Sequence, residues 1–359
     1  MTSYITPLLS PKELKKELPL SKKAQSFILN QRNSFKSIEV GSKRLALLVG
    51  PCSVHDPDAF IEYATHLNEL RKKVSKHFMI VCRAYIEKSR TAAGWKGFLY
   101  QPNPLLPPDL SKGLYLSRKL LCTLAEMEIP LALEIVDPLM FYYFDDLMTW
   151  GCIGARSSTS LPHRSIASQG SIPFGFKNSL DGSWQSAINA MIVAKNPQVF
   201  FGLTPEGAIG SVISNGNRTT HLVLRGGKQS SNYDKKCIEQ AYLDLLAHEL
   251  TPQIIVDASH DNSKKNLELQ QQIFSTLIQQ KHENNLPITA IMLESFIKKG
   301  SQTISPSMDP RISITDPCLD FETTEKMITQ GYEVFEGKLV SQSFENKHFA
   351  YTPSQASLL

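Results

Sequence analysis

The sequence predicts an α/β fold, a closed (β/α)8 TIM barrel, on three observations. From Arg44 onwards, short apolar runs of strand length alternate with longer segments of helical period, as in βα units on a parallel sheet. Eight such runs fall within roughly 250 residues, the usual span of such a barrel. The turn after the first run, Gly50-Pro51-Cys52-Ser53, lacks the glycine-rich pattern of an open doubly wound sheet, the rival architecture.

Residues 1–43 are rich in Lys and Ser, with helical stretches around 11–18 and 21–34, and read as an arm outside the main body. The barrel is expected over 44–338. Its strands are placed at 45–49, 78–82, 131–135, 152–155, 172–176, 222–224, 254–256 and 288–293. The helices between them are placed at 58–76, 112–128, 138–150, 183–194, 233–250 and 263–281, with a last one at 322–331. The first has Asp56 as N-cap and Pro57 at the first helical position. Residues 198–213 read as a β-hairpin inserted ahead of the sixth strand, and 339–359 as a polar tail.

Composition narrows the class. With 42% hydrophobic and 20% charged residues the chain can build a large core. A formal net charge of +4 is too small and too dispersed to argue for nucleic acid. The six cysteines form no CxxC and are expected as reduced thiols. There is no leader pattern and no apolar run of membrane-spanning length, so the expectation is a cytoplasmic protein without a membrane partner.

The chemistry is organised around residues 81–91, an apolar strand that ends in a loop carrying Arg83, Lys88 and Arg90. Such a cluster alone is more often a solvated turn. Here, however, all eight strands deliver a polar or ionisable residue to the carboxyl-terminal rim, where barrels place function. Cys52, His260 and Glu294 come from three strand ends, with Asp316 in a following loop. Mixed S, N and O donors suit a divalent transition metal (Mn, Fe, Co or Zn), although a lone buried Cys is more often structural. The cations Arg83, Lys88, Arg90, Lys96, Arg156, Lys177 and Arg225 form a second set. Two phosphorylated substrates, one also a carboxylate, would bring roughly four to five negative charges to it.

The motifs, in order and spacing, resemble the class I 3-deoxy-D-arabino-heptulosonate 7-phosphate (DAHP) synthase family over about residues 11–331. They are Gly50-Pro51-Cys52-Ser53-Val54-His55-Asp56, Glu87-Lys88-Ser89-Arg90-Thr91 with Gly94-Trp95-Lys96-Gly97, Gly154-Ala155-Arg156, Gly175-Phe176-Lys177-Asn178, Leu224-Arg225-Gly226-Gly227, Asp257-Ala258-Ser259-His260-Asp261-Asn262-Ser263 and Ser313-Ile314-Thr315-Asp316. The resemblance implies condensation of phosphoenolpyruvate with erythrose 4-phosphate, the first step of the shikimate pathway to chorismate and the aromatic amino acids. It implies Cys52, His260, Glu294 and Asp316 as metal ligands. Arg83, Lys88, Ala155, Arg156, Lys177 and Arg225 fall on the phosphoenolpyruvate site. Lys88, Arg90, Thr91 and Asp316 fall on the erythrose 4-phosphate site. Glu134 matches a carboxylate near the reacting water, Lys88 is the implied proton donor, and Arg83 supplies fixed electrostatics. The family further implies a dimer or tetramer, and an aromatic amino acid effector acting through the arm and hairpin.

The pattern is departed from at Gln101-Pro102-Asn103-Pro104, where the family often has Asp-Pro, and at Thr204-Pro205-Glu206-Gly207, where Lys and an aromatic are usual. Both changes bear on loop order, subunit contacts or feedback control, and neither touches a metal ligand. Two competing readings remain: the sister 3-deoxy-octulosonate 8-phosphate synthase, and a catalytically silent regulatory barrel. The first typically has Lys-Ala-Asn-Arg-Ser where this chain has 87–91, and the second would show a lost ligand or phosphate arginine.

Overall fold

The computed structural model describes residues 6–339. An arm of two helices, α1 (Pro11–Glu17) and α2 (Lys22–Lys36), leads into β1 (Leu45–Gly50), α3 (Pro57–Lys73), β2 (Phe78–Arg83), α4 (Leu110–Glu126) and β3 (Leu131–Glu134). Then follow α5 (Phe141–Phe144), β4 (Trp150–Ile153), α6 (Leu161–Ala167), β5 (Phe174–Lys177) and α7 (Gln185–Lys195). The hairpin β6 (Gln198–Leu203) and β7 (Ile209–Ser214) precedes β8 (Thr220–Leu224), α8 (Lys235–Ala247), β9 (Ile254–Asp257), α9 (Leu267–Asn284), β10 (Ala290–Glu294) and α10 (Phe321–Phe335).

Eight parallel strands close in the order β1-β10-β9-β8-β5-β4-β3-β2, which excludes the open sheet, while β6 and β7 pair antiparallel in a sheet of their own. The strands are buried on both faces, so they read as continuous apolar runs rather than alternating ones. Five barrel helices start on an Asp or Asn whose side chain accepts an amide of the first turn: Asp56 from Ala59, Asp109 from Lys112, Asp234 from Cys237, Asn266 from Leu269 and Asp320 from Thr323. Each cap stabilises its helix by about 1 kcal/mol.

Three expectations are corrected. The helix placed at 138–150 is one 3-10 turn (Pro138–Met140) followed by the single turn of α5, because Trp150 already opens β4 and packs inside the barrel. Strand and helix compete for such a short apolar run, and closing the barrel decides. The short helix α6 was not foreseen. The arm is not outside the body. Leu14, Ala24 and Ile28 join the layer between strands and helices, and Phe35 and Ile38 plug the amino-terminal end of the barrel. The Phe35 ring lies 6.2 Å from that of Trp150 and 5.3 Å from that of His221. The expected tail beyond Leu339 lies outside the described residues.

Candidate active site

The carboxyl ends of the strands open into a cavity of about 410 Å3. Strand β1 ends just before Cys52, β10 ends at Glu294, and the loop carrying Asp316 is tied to the β1 loop by a 2.9 Å contact between the hydroxyls of Ser53 and Thr315. The ligand atoms of Cys52, Glu294 and Asp316 thereby come within 4.8 Å of one another. His260 joins them, with Nε2 3.5 Å from Glu294 Oε1. Its backbone is left-handed, at φ 43°, and its Nδ1 lies 2.8 Å from Oδ2 of the fully buried Asp257. A carboxylate behind a histidine is how proteins fix a ligating imidazole's tautomer and direction.

The donor set fits a metal. Burial chiefly pushes the Cys52 thiol up to about 12, with Glu294 adding to the effect and Lys88 opposing it, so a thiolate here needs a cation beside it. A cation already lies among these groups. Lys88 Nζ donates to Cys52 Sγ at 2.8 Å and to Asp316 Oδ2 at 3.2 Å. Burial opposes charge on both Lys88 and Asp316. The negative groups around Lys88 nevertheless raise it, and Lys88 and Lys265 hold Asp316 well below the carboxylate range. Thiol, imidazole and two carboxylates are a donor set for a borderline divalent ion.

The cationic set meets the same cavity. Arg83 is 1% exposed, with Nη2 3.1 Å from Glu294 Oε1 and its guanidinium carbon 4.4 Å from the centre of the Tyr85 ring. Its Nε and Nη1 are buried and have no partner among the described residues, which leaves two donors for an anion. Lys177 lies 3.4 Å from Asp257 and 3.9 Å from Glu134. Arg225 Nη1 donates to Asp261 at 2.5 Å, Arg156 Nε to the Thr91 hydroxyl at 2.8 Å and Arg90 Nε to the Trp95 carbonyl at 2.9 Å. Ala155 lines the wall between them. Glu134 reaches the cavity because residue 154 is glycine: a Cβ there would stand 2.3 Å from Glu134 Oε1.

One expected member is elsewhere. Lys96 lines a neighbouring depression with Lys88, Arg90 and Asp137, not the main cavity. The loop folds back, with Lys88 N–H bonded to the Lys96 carbonyl, and of the two only Lys88 also lines the main cavity.

Sequence reasoning also missed four groups. Asp257 was read only as a strand end, although a buried acid there needed a partner. Lys265, which donates to Asp316 Oδ1 at 2.7 Å, and Tyr85, under the Arg83 guanidinium, had no signal of their own. Glu87 accepts from the amides of Val136 and Asp137 and from the Tyr100 hydroxyl, so it clamps the Lys88 loop to the loop after β3.

The sequence profile of the DAHP synthetase I family matches residues 19–329. The Tyr-sensitive phospho-2-dehydro-3-deoxyheptonate aldolase of Escherichia coli is 37% identical over 342 residues, 93% of this chain and 95% of that protein. The phenylalanine-inhibited phospho-2-dehydro-3-deoxyheptonate aldolase of Saccharomyces cerevisiae is 37% identical over 90% of each chain. The solved structure of phospho-2-dehydro-3-deoxyheptonate aldolase from Francisella tularensis superposes with a TM-score of 0.91 at 35% identity, covering 95% of this chain and all of that one. A closed barrel, a thiol–carboxylate cluster with His260 beside it and a set of cations on one cavity thus coincide with similarity along almost the whole length, and this chain belongs to the DAHP synthetase I family.

Proposed function

We propose that this DAHP synthase divides its cavity between a metal centre at Cys52, His260, Glu294 and Asp316 and a phosphoenolpyruvate cradle at Arg83, Ala155, Arg156, Lys177 and Arg225. The reaction joins phosphoenolpyruvate, erythrose 4-phosphate and water into DAHP and phosphate. The observation that carries the assignment is the meeting of both sets at Lys88, which touches Cys52 and Asp316 and lines the same wall as Arg83 and Arg225.

A divalent transition metal (Mn, Fe, Co or Zn) held there supplies Lewis acidity toward the aldehyde oxygen. Arg83, with two unpartnered donors, and Arg156, Lys177 and Arg225 grip the phosphate and carboxylate of phosphoenolpyruvate. Arg90 and Thr91 hold erythrose 4-phosphate, its aldehyde turned toward Lys88 and Asp316. As C3 of phosphoenolpyruvate bonds to the aldehyde carbon, Lys88, kept protonated by its anionic neighbours, delivers a proton to the aldehyde oxygen. Glu134 orients the water that adds to C2 before phosphate leaves.

Phosphate release from phosphoenolpyruvate by the metal-loaded protein tests this. Chelator-sensitive turnover with erythrose 4-phosphate alone supports it. Turnover only with arabinose 5-phosphate would make the chain a 3-deoxy-octulosonate 8-phosphate synthase, and no turnover with either would make it a silent barrel.

The relatives named Tyr-sensitive and phenylalanine-inhibited support an aromatic amino acid effector here. The arm meets the hairpin directly, through Lys12 N–H to the Pro205 carbonyl at 2.8 Å and Lys12 to Glu206 at 3.0 Å. One face of that hairpin exposes Val199, Phe201 (89% exposed), Ile209 and Ile213, a surface suited to a second copy in a dimer or tetramer. Six free cysteines fit the reducing cytoplasm, and among the described residues no helix is long and apolar enough to cross a membrane.

A further inference from the structure

A second cavity of about 410 Å3 lies at the opposite, amino-terminal end of the barrel, enclosed by the segment before β1, the loop before β2 and the carboxyl-terminal ends of α9 and α10. Its polar wall is Ser42, Lys43, His77, Lys281, His282 and Asn285, and among the described residues no carboxylate lines it. We propose that this cavity binds a small phosphate-bearing anion, gripped by the buried ammonium of Lys281 together with Lys43.

Lys281 is the unusual feature. It is only 4% exposed, and its Nζ donates to the Leu286 carbonyl at 3.2 Å and the Asn285 side-chain oxygen at 3.4 Å. Both acceptors are uncharged, and the ammonium has three donors, so one is left over. Burial pushes its pKa down to about 8, and among the described residues no carboxylate stands beside it to oppose that shift. Helix carbonyls at the end of α9 attract a cation, but they explain one such group and not four basic side chains around one space. The carboxylate beside the wall, Glu336, is already engaged by Lys76 and His77, each at 2.6 Å. The Phe335 ring lies 5.7 Å from the His77 imidazole and 5.5 Å from that of His282, so both rings brace an apolar floor, and the Nε2 of His77 is taken by Glu336. A pocket of this size has room for a phosphate or a small phosphate ester.

The test is a titration of the full-length protein with inorganic phosphate, and separately with glycerol phosphate, followed by the histidine imidazole NMR signals. The His77 and His282 signals are assigned with His77→Gln and His282→Gln. Saturable shifts of both signals are expected. Lys281→Gln should weaken the affinity about tenfold, as loss of a charge-assisted hydrogen bond does, and Lys43→Gln by a smaller factor. The response of His260 at the catalytic rim should persist in both variants. Binding of only the ester would identify the ligand as a phosphomonoester rather than free phosphate. Shifts that never saturate, that chloride reproduces at equal ionic strength, or that survive unchanged in the variants would overturn the proposal. Should Lys281→Gln not fold, the exposed Lys43→Gln decides alone.

Discussion

Lys88 Nζ sits 2.8 Å from Cys52 Sγ and 3.2 Å from Asp316 Oδ2, so the implied proton donor and two implied metal ligands form one contact group. A cation entering this cluster competes with an ammonium for the same negative charge.

Cys52→Ser should abolish the near-ultraviolet sulfur-to-metal charge-transfer band of the cobalt-loaded protein and lower turnover by at least about a hundredfold. The thiol is buried and unreactive without a metal, so the fold should tolerate the change. A retained band in a folded variant would remove Cys52 from the ligand set.

Asp257→Asn tests the buried carboxylate behind His260. Losing it frees the imidazole to turn and leaves Lys177 without a partner at 3.4 Å. Metal affinity, read by competition with a chelator, should fall about 10- to 100-fold. An equal affinity would assign Asp257 to Lys177 alone.

Gly154→Ala separates position from identity for Glu134. The new Cβ would meet Glu134 Oε1 at 2.3 Å, and the carboxylate, as the end of a flexible side chain, has to move. Turnover should drop roughly as far as in Glu134→Gln, by an order of magnitude or more. The denaturant midpoint should change little. Normal turnover in both variants would exclude Glu134 from orienting the water.

The Glu87 carboxyl is pushed up to about 8, chiefly by burial, against the amide hydrogen bonds that lower it. A carboxyl raised in the folded state stabilises it when protonated. That contribution is complete below its unfolded value, near about 4.3, and is lost as pH rises through about 8. Stability to urea should therefore decline from about pH 5 to pH 8.5, and Glu87→Gln, though less stable at low pH, should flatten the decline. Because Glu87 clamps the Lys88 loop to Val136 and Asp137, the variant should also raise KM for erythrose 4-phosphate. An unchanged slope would show that Glu87 is ionised throughout.

The sequence by itself determined the alternation of strands and helices and the identity of the residues at the strand ends. In a parallel barrel both follow from local signals, apolar runs bounded by polar turns. Cys52, Arg83, Glu134, Arg156, Lys177, Arg225, His260 and Glu294 were legible for that reason, since the end of a buried strand can point only to the rim. Closure of the sheet decided what no local signal holds. It moved β4 forward to Trp150, and it turned an apparently separate arm into the plug made by Phe35 and Ile38. It set Asp257 behind His260 and Lys88 between Cys52 and Asp316, and it left Lys96 outside the cavity. These relations join residues far apart in the chain, such as Lys88 and Asp316, whose contact exists only once the barrel has brought different strand ends to one rim.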